Sequence, residues 1–154
     1  MDIQEKEALK KKLLEYCLQA QNTRINTARE AMEEIQESAN EEEGGTEEKF
    51  EGFRSQLQID RDMFAKQYSD AVEGLNTLRK IQLDRVIDTP SLGAVIVTTG
   101  QNLFVSINIG QIKLNNKIWF GISTESPLYK AMLGKKEGES FIFRDKSFQI
   151  LELF

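Results

Sequence analysis

Between Leu14 and Ala39 the apolar positions fall at Leu14, Leu18, Ile25, Ala28, Met32, Ile35 and Ala39, mostly in steps of three, four and seven, with Gln21 at the skipped position. A stripe with that period is the buried seam of a coiled-coil helix, and Lys, Glu and Gln occupy its other faces. Ala8, Leu9 and Leu13 extend the stripe less regularly upstream, so a helix is expected from about Ile3 to Ala39. At about 1.5 Å per residue it would span on the order of 50 Å. A second seam reads Phe50, Phe53, Leu57, Phe64, Tyr68, Ala71, Leu75 and Leu78, and predicts a helix from about Glu47 to Leu83. Thr46 before Glu47 and Glu48 is a sound helix start, because acids in the first turn meet the positive end of the helix dipole. Asp60 and Arg61 interrupt this seam and its register drifts there. Neither stretch contains proline, and Gly44-Gly45 lies at the midpoint. Two helices of matched length with one short connector are expected to pair as an antiparallel hairpin within one chain.

The texture changes at Asp88-Thr89-Pro90-Ser91, where proline lacks an N–H and restricts the residue before it. Beyond it the pattern is that of strands. Ala94–Thr98 is one, followed by a turn at Gly100-Gln101-Asn102. Leu103, Val105, Ile107 and Ile109 alternate with Phe104, Ser106 and Asn108 and predict a second. Ile112–Leu114 and Ile118–Ile122 flank Asn115-Asn116, a type I′ hairpin signal. Ser126 as cap and Pro127 in the first turn open a short helix over Pro127–Leu133, which Gly134 closes. Ser140–Phe143 and Phe148–Leu153 form a last hairpin around Arg144-Asp145-Lys146.

Charge sharpens the division. Residues 1–85 carry 19 acids against 13 bases, net −6, whereas residues 86–154 carry 6 acids against 7 bases, net +1. Between Glu30 and Glu51, ten of 22 residues are Glu, so the negative charge concentrates at the bend of the hairpin. With no histidine and only Cys17, the chain has no internal disulfide, no zinc site of the usual Cys/His kind and no histidine base. Cys17 falls at an apolar helical position and is expected to be a buried small hydrophobe, as Trp119 is expected in the core. No apolar run approaches the roughly 20 residues a membrane helix needs, and the N-terminus lacks an apolar core. A cytoplasmic protein without a membrane partner is therefore expected.

From Ile122 to Phe143 the pairs Ser126-Pro127, Gly134-Lys135 and Gly138-Glu139 stand at fixed spacing around the short helix. This segment resembles the C-terminal domain of the Gre family of bacterial transcript-cleavage factors. There a strand runs into Ser-Pro, a short helix, a Gly-Lys step, a Gly-acid pair and the next strand. Arg29–Ile35 and Phe53-Arg54 resemble the flanks of that family's tip, and the order of elements is similar over nearly the whole chain. The resemblance implies an α+β fold: a long antiparallel coiled-coil hairpin over residues 1–86 with its acidic tip near 40–48, then a small FKBP-like antiparallel β domain with one short helix over residues 91–154. It implies a monomeric elongation factor that is not itself an enzyme. Such a factor binds RNA polymerase through the β domain, inserts the hairpin into the secondary channel and stimulates cleavage of the nascent RNA 3′ end in backtracked complexes. The tip acids, here Glu41, Glu42, Glu43, Glu47 and Glu48, would act in catalysis. Glu42, Glu43 and Glu47 would help hold a Mg²⁺ present only at the polymerase active site, with no cofactor in the free protein.

By the same resemblance Arg54 is an RNA contact. Arg24 and Arg29 are either a basic face for RNA phosphates or ordinary helix-surface charge; Lys10-Lys11-Lys12 are assigned to helix-surface charge. The surface around Ser126, Pro127, Leu128, Tyr129, Met132 and Lys135 is expected to face the polymerase, although the cap, the proline and Gly134 each have a folding reason of their own.

The tip departs from the family's pattern of an Asp followed three residues on by a Glu. Counting forward from the first helix puts Asn40 at the Asp position; counting back from Phe50 puts Glu43 there and Thr46 at the Glu position. Neither register supplies both carboxylates, and the tip is about three residues longer. Three alternatives stay open: a channel-binding factor without cleavage; a prolyl isomerase or chaperone built on an aromatic-lined pocket drawn from Phe104, Trp119, Phe120, Phe141, Phe143, Phe148 and Phe154; and a coiled-coil scaffold.

Overall fold

A computed structural model of the chain describes the backbone of residues 1–41 and 47–154 and the side chains of 1–39 and 51–154. Two long helices, α1 (Ile3–Glu41) and α2 (Glu47–Arg79), precede six strands. These are β1 (Val95–Thr98), β2 (Asn102–Val105), β3 (Gly110–Leu114), β4 (Lys117–Ile122), β5 (Ser140–Phe143) and β6 (Lys146–Leu153), with the short helix α3 (Pro127–Ala131) between β4 and β5. The expected α+β class holds. The packing, however, divides the chain elsewhere than the change of texture at residues 88–91. One compact unit is Met1–Ala20 with Asn76–Phe154, and the other is Gln21–Leu75.

The second unit is an antiparallel helix pair. Arg61 Nη2 donates to Gln36 Oε1 at 3.1 Å and Gln21 Nε2 donates to the Ala71 carbonyl at 2.7 Å, so partners rise on one helix as they fall on the other. Ile25, Ala28, Ile35, Ala71 and Leu75 are buried, as the seams require. Gln21, the one polar residue in the seam of α1, is only 3% exposed. Its amide fits because the facing residue is glycine: a Cβ at Gly74 would lie 2.6 Å from Gln21 Nε2. A polar group buried at a seam position favours one register, since any slip would strand it without a partner.

In the first unit, Leu9, Leu13 and Cys17 from α1, Leu78 from the end of α2 and Ile81 just beyond it bury against Val95, Phe104, Ile107, Ile112 and Trp119. The other face of the sheet presents Ile96, Leu103, Val105, Ile122, Phe141 and Ile150 to Met132, which follows α3. Alternation along β1 and β2 thus feeds two cores, one on each face. The base of the helical hairpin folds with the sheet because its apolar residues cover that sheet's first face. α2 stops at Arg79, short of the expected Leu83; the chain turns there through Lys80 N–Thr77 O and Ile81 N–Leu78 O bonds, and the turn drives Ile81 into the core. Gly93, at φ 91°, leaves the space that Ile81 fills.

The strand order is β3-β4-β2-β1-β6-β5. The expectation of an antiparallel sheet is corrected at one place: β2 and β4 pair in parallel, Leu103 opposite Phe120 and Val105 opposite Ile122. The strand expected over 103–109 ends at Val105, because the chain then crosses Gly121. Ser106 N donates to Ile122 O and Ile109 N to Gly121 O, and a Cβ at Gly121 would meet the Ile107 carbonyl at 2.9 Å. Both tight hairpins have paired left-handed residues, Asn115 and Asn116 (φ 53° and 61°) and Arg144 and Asp145 (φ 50° and 65°). That geometry matches the twist of the flanking strands and lets β6 begin at Lys146, two residues earlier than expected. β6 pairs with β5 through its first half and with β1 through its second, the register shifting between Val97 and Thr98.

Glycine to alanine inside an exposed helix usually gains about 0.5–1 kcal/mol. At Gly74 the sign is expected to reverse, because the new methyl displaces a buried amide whose lost bond costs about 1–3 kcal/mol. Chemical denaturation is expected to show Gly74→Ala destabilising alone and stabilising by about 1 kcal/mol in a Gln21→Ala background. Stabilisation in both backgrounds would contradict the close approach.

Candidate functional site

The acids expected to act in catalysis fall at the bend. Glu42 and Glu43 lie outside the described residues, as do the side chains of Glu41, Glu47 and Glu48. Asn40, Thr46 and Phe50, which set the two alternative registers of the tip, likewise have side chains outside the described residues. Next to the bend, Glu37 on α1 and Glu51 and Arg54 on α2 are exposed. Among the described residues no three acidic or Cys side chains converge as a group that could hold a metal ion.

The three arginines expected to touch RNA do not form one patch. Arg24 Nη1 donates to Gln21 Oε1 at 3.4 Å, which ties it to the polar layer of the helix pair. It lines a shallow groove of about 450 Å³ together with Thr23, Thr27, Gln67 and Asp70. Arg29 is exposed, and five residues further along α1 it is turned about 140° around the helix. Gln21 bonds Ala71, and the stretch of α2 from Arg54 to Ala71 spans on the order of 25 Å, so Arg54 stands well apart from Arg24.

The residues expected to face a polymerase divide by burial. Ser126 Oγ accepts from Tyr129 N at 3.2 Å, the N-cap bond its position requires, and Pro127 is exposed at the first helical position. Tyr129 donates its hydroxyl to the Pro90 carbonyl at 3.1 Å and so fastens α3 to the segment before β1. Met132 is wholly buried and is corrected: its side chain serves the core of the sheet and is not on a contact surface. It points inward because α3 ends at Ala131 and Met132 caps it, while the neighbouring Leu133 is left 55% exposed. Leu128 and Lys135 are half-buried. α3 thus ends two residues short of the expected Leu133, and Gly134, at φ 74°, lies in the turn beyond it rather than closing the helix.

Lys10 is a second correction. It is not surface charge but 5% exposed, and burial lowers its pKa below the usual lysine value. Lys10 is the one residue of the basic triplet that the helix carries inward, its aliphatic stem covering apolar surface. Cys17 is wholly buried, its sulfur 3.8 Å from Ser106 Oγ.

Among the aromatic residues, Phe104 and Trp119 serve the helix-facing core. Phe141, Phe143 and Phe148 instead meet on the other face around a cavity of about 490 Å³, with Leu103, Leu128, Arg144 and Lys146. The seven aromatics of the expected pocket thus do not share one surface. The signal that separates these three is their place on the two strands of one hairpin, where residues two apart share a face.

The lowered pKa of Lys10 carries a sign. Between its folded value and the unfolded value of 10.5, the unfolded chain binds more protons, so stability rises with pH through that window. Replacing Lys10 with Met is expected to raise the melting temperature at neutral pH and to flatten this rise. Thermal melts at neutral pH and near 10.5 read both effects. A substitution that lowers stability and keeps the slope would contradict the burial of the ammonium.

No protein-family model matches this chain, and no curated protein matches it in sequence. The solved structures it is similar to include the following. The crystal structure of GreA factor homolog 1 (Gfh1) of Thermus thermophilus aligns over 93% of this chain and 93% of that one, at 16% identity and a TM-score of 0.35. A structure of the transcription factor Gfh1 aligns over 89% of this chain and 92% of that one, at 17% identity and a TM-score of 0.36.

Proposed function

We propose that this chain is a bacterial transcription elongation factor of the Gre kind. Its sheet-bearing unit docks on RNA polymerase, and the hairpin carries the acidic bend through the secondary channel to the polymerase active site. The observation that carries the reading is one of arrangement. Ten glutamates in 22 residues lie in and beside the connection between two helices that pair antiparallel, and the same chain carries a sheet with a Ser-Pro-capped helix. Isolated, each feature has a folding explanation; joined in this order they describe a carrier of carboxylates.

The chemistry asked of those carboxylates is modest. Hydrolysis of an RNA phosphodiester by two metal ions needs hard oxygen ligands that hold the second ion near the attacking water. Mg²⁺ commonly keeps several waters and takes only one or two carboxylates, so Glu42, Glu43 and Glu47 need supply only part of its shell. The ion is shared with the polymerase, and the factor acts as a monomer without a cofactor of its own. Arg54, exposed beside the bend, is the arginine best disposed to meet RNA phosphate. Pro127, Leu128, Tyr129 and Lys135 remain in the docking surface, and Met132 leaves it.

A second reading keeps the docking and drops the cleavage. It is favoured by Asn40 and Thr46, which stand where the family pattern has carboxylates in the two possible registers.

Adding the protein to backtracked polymerase carrying labelled RNA and Mg²⁺ is expected to release short 3′ fragments. Alanine at Glu41, Glu42, Glu43, Glu47 and Glu48 together is expected to abolish release while binding and melting temperature hold, because exposed carboxylates contribute little stability. Binding without fragments from the unaltered protein would leave the second reading standing; absence of binding would remove both.

A further inference from the structure

The cavity on the α3 side of the sheet has no part in the chemistry of the acidic bend, and it is built as a socket. Its floor is Phe141, 4% exposed, beside the fully buried Leu103. Phe143, Phe148 and Leu128 are half-buried and form its walls. The Phe141 and Phe148 rings stack with centroids 5.5 Å apart at 27°.

One rim is held rigid. Thr98 Oγ1 donates to the Gln101 carbonyl at 2.7 Å and accepts from the backbone N–H groups of Gly100 and Gln101 at 3.1 and 2.9 Å. Phe148 presses into the space a side chain at Gly100 would take, since a Cβ there would lie 2.5 Å from its ring. The wall is therefore set before any ligand arrives, which reduces the ordering cost of binding.

The lining also includes Arg144 and Lys146, both exposed and both cationic, on a chain of net charge −5. Among the described residues they are the ionisable side chains that line the cavity. Arg144 lies over the Phe143 ring, 5.0 Å from its centroid. Its guanidinium is thus parked at the mouth, where it can meet a carboxylate with two parallel hydrogen bonds.

We propose that this cavity binds an extended peptide segment of a partner protein, seating one aromatic side chain among Phe141, Phe143 and Phe148 and setting a neighbouring carboxylate against Arg144 and Lys146. The aromatic floor favours an aromatic guest through offset stacking. The volume of about 490 Å³ leaves room for that side chain and part of the adjoining backbone. The charge of the rim selects the flanking residues and disfavours basic segments. The cavity shares Leu128 with the docking surface proposed above, and peptide binding to the free chain reads it without the polymerase.

Fluorescence anisotropy of the full chain with three short labelled peptides tests it: one phenylalanine flanked by glutamates, one phenylalanine flanked by lysines, and one alanine flanked by glutamates. The first is expected to bind saturably, and each of the others about tenfold more weakly or less. Lys146→Glu, on an exposed site, is expected to keep the melting temperature, weaken the glutamate-flanked peptide about tenfold and strengthen the lysine-flanked one. Phe143→Ala is expected to weaken both phenylalanine peptides. The proposal is overturned by no saturable binding of the first peptide, by equal binding of all three, by indifference to Lys146→Glu, or by preferential binding of anionic lipid vesicles.

Discussion

The fold of the first unit rests on covering both faces of one six-stranded sheet. A sheet of this size exposes an apolar face on each side, and the sixty-odd residues that follow the change of texture are too few to cover both well by themselves. One face is closed by α3 with Met132; the other is closed by the first turns of α1 and the end of α2, through Leu9, Leu13, Cys17, Leu78 and Ile81. Those helical residues are as much a part of the sheet's core as Phe104 or Trp119. The beginning and the end of the helical region therefore belong to the same folding unit as strands that lie tens of residues away, and the hairpin cannot be cut from the sheet at residue 88 without uncovering it.

The helices were legible from sequence because a seam is a local, repeating signal. Steps of three and four specify which side of each helix is buried without knowledge of the partner. The turns are legible for a similar reason: Asn115-Asn116 accepts two left-handed residues, and Ser126 and Pro127 each answer a specific demand of a helix start. What stayed hidden was non-local. The alternation from Leu103 to Ile109 runs on past Val105, yet the strand stops there because a carbonyl must pass over Gly121, fifteen or so residues away in the chain. The parallel pairing of β2 with β4 leaves no local trace either. Lys10 reads as surface charge by residue type, and only packing shows that its stem is enclosed.

The candidate site shows the same limit. A concentration of glutamate at a bend is plain in the sequence, but which carboxylates converge depends on the bend's geometry, and the two ways of counting across it give different answers. The three arginines looked alike as residue types. Arg24 belongs to the polar layer that Gln21 forms with Ala71, which gives it a structural occupation that its residue type does not announce. The three aromatics of the β5–β6 hairpin gather around an open cavity with a cationic rim, whereas Phe104 and Trp119 do not. The two proposed sites, a negatively charged connection and an apolar cavity, stand on scaffolds where a few polar or glycine positions set the register.

On the proposed function, the acidic bend reaches the catalytic centre of a bacterial RNA polymerase. Cys17 is the only cysteine and is buried, so a thiol introduced by Glu42→Cys can be labelled selectively with an iron chelate that generates hydroxyl radicals. Mapping backbone cuts in the bound polymerase then locates the bend. Cuts flanking the residues that hold the polymerase's catalytic Mg²⁺ are the predicted result; cuts confined to the outer surface of a polymerase that binds the labelled protein would contradict it.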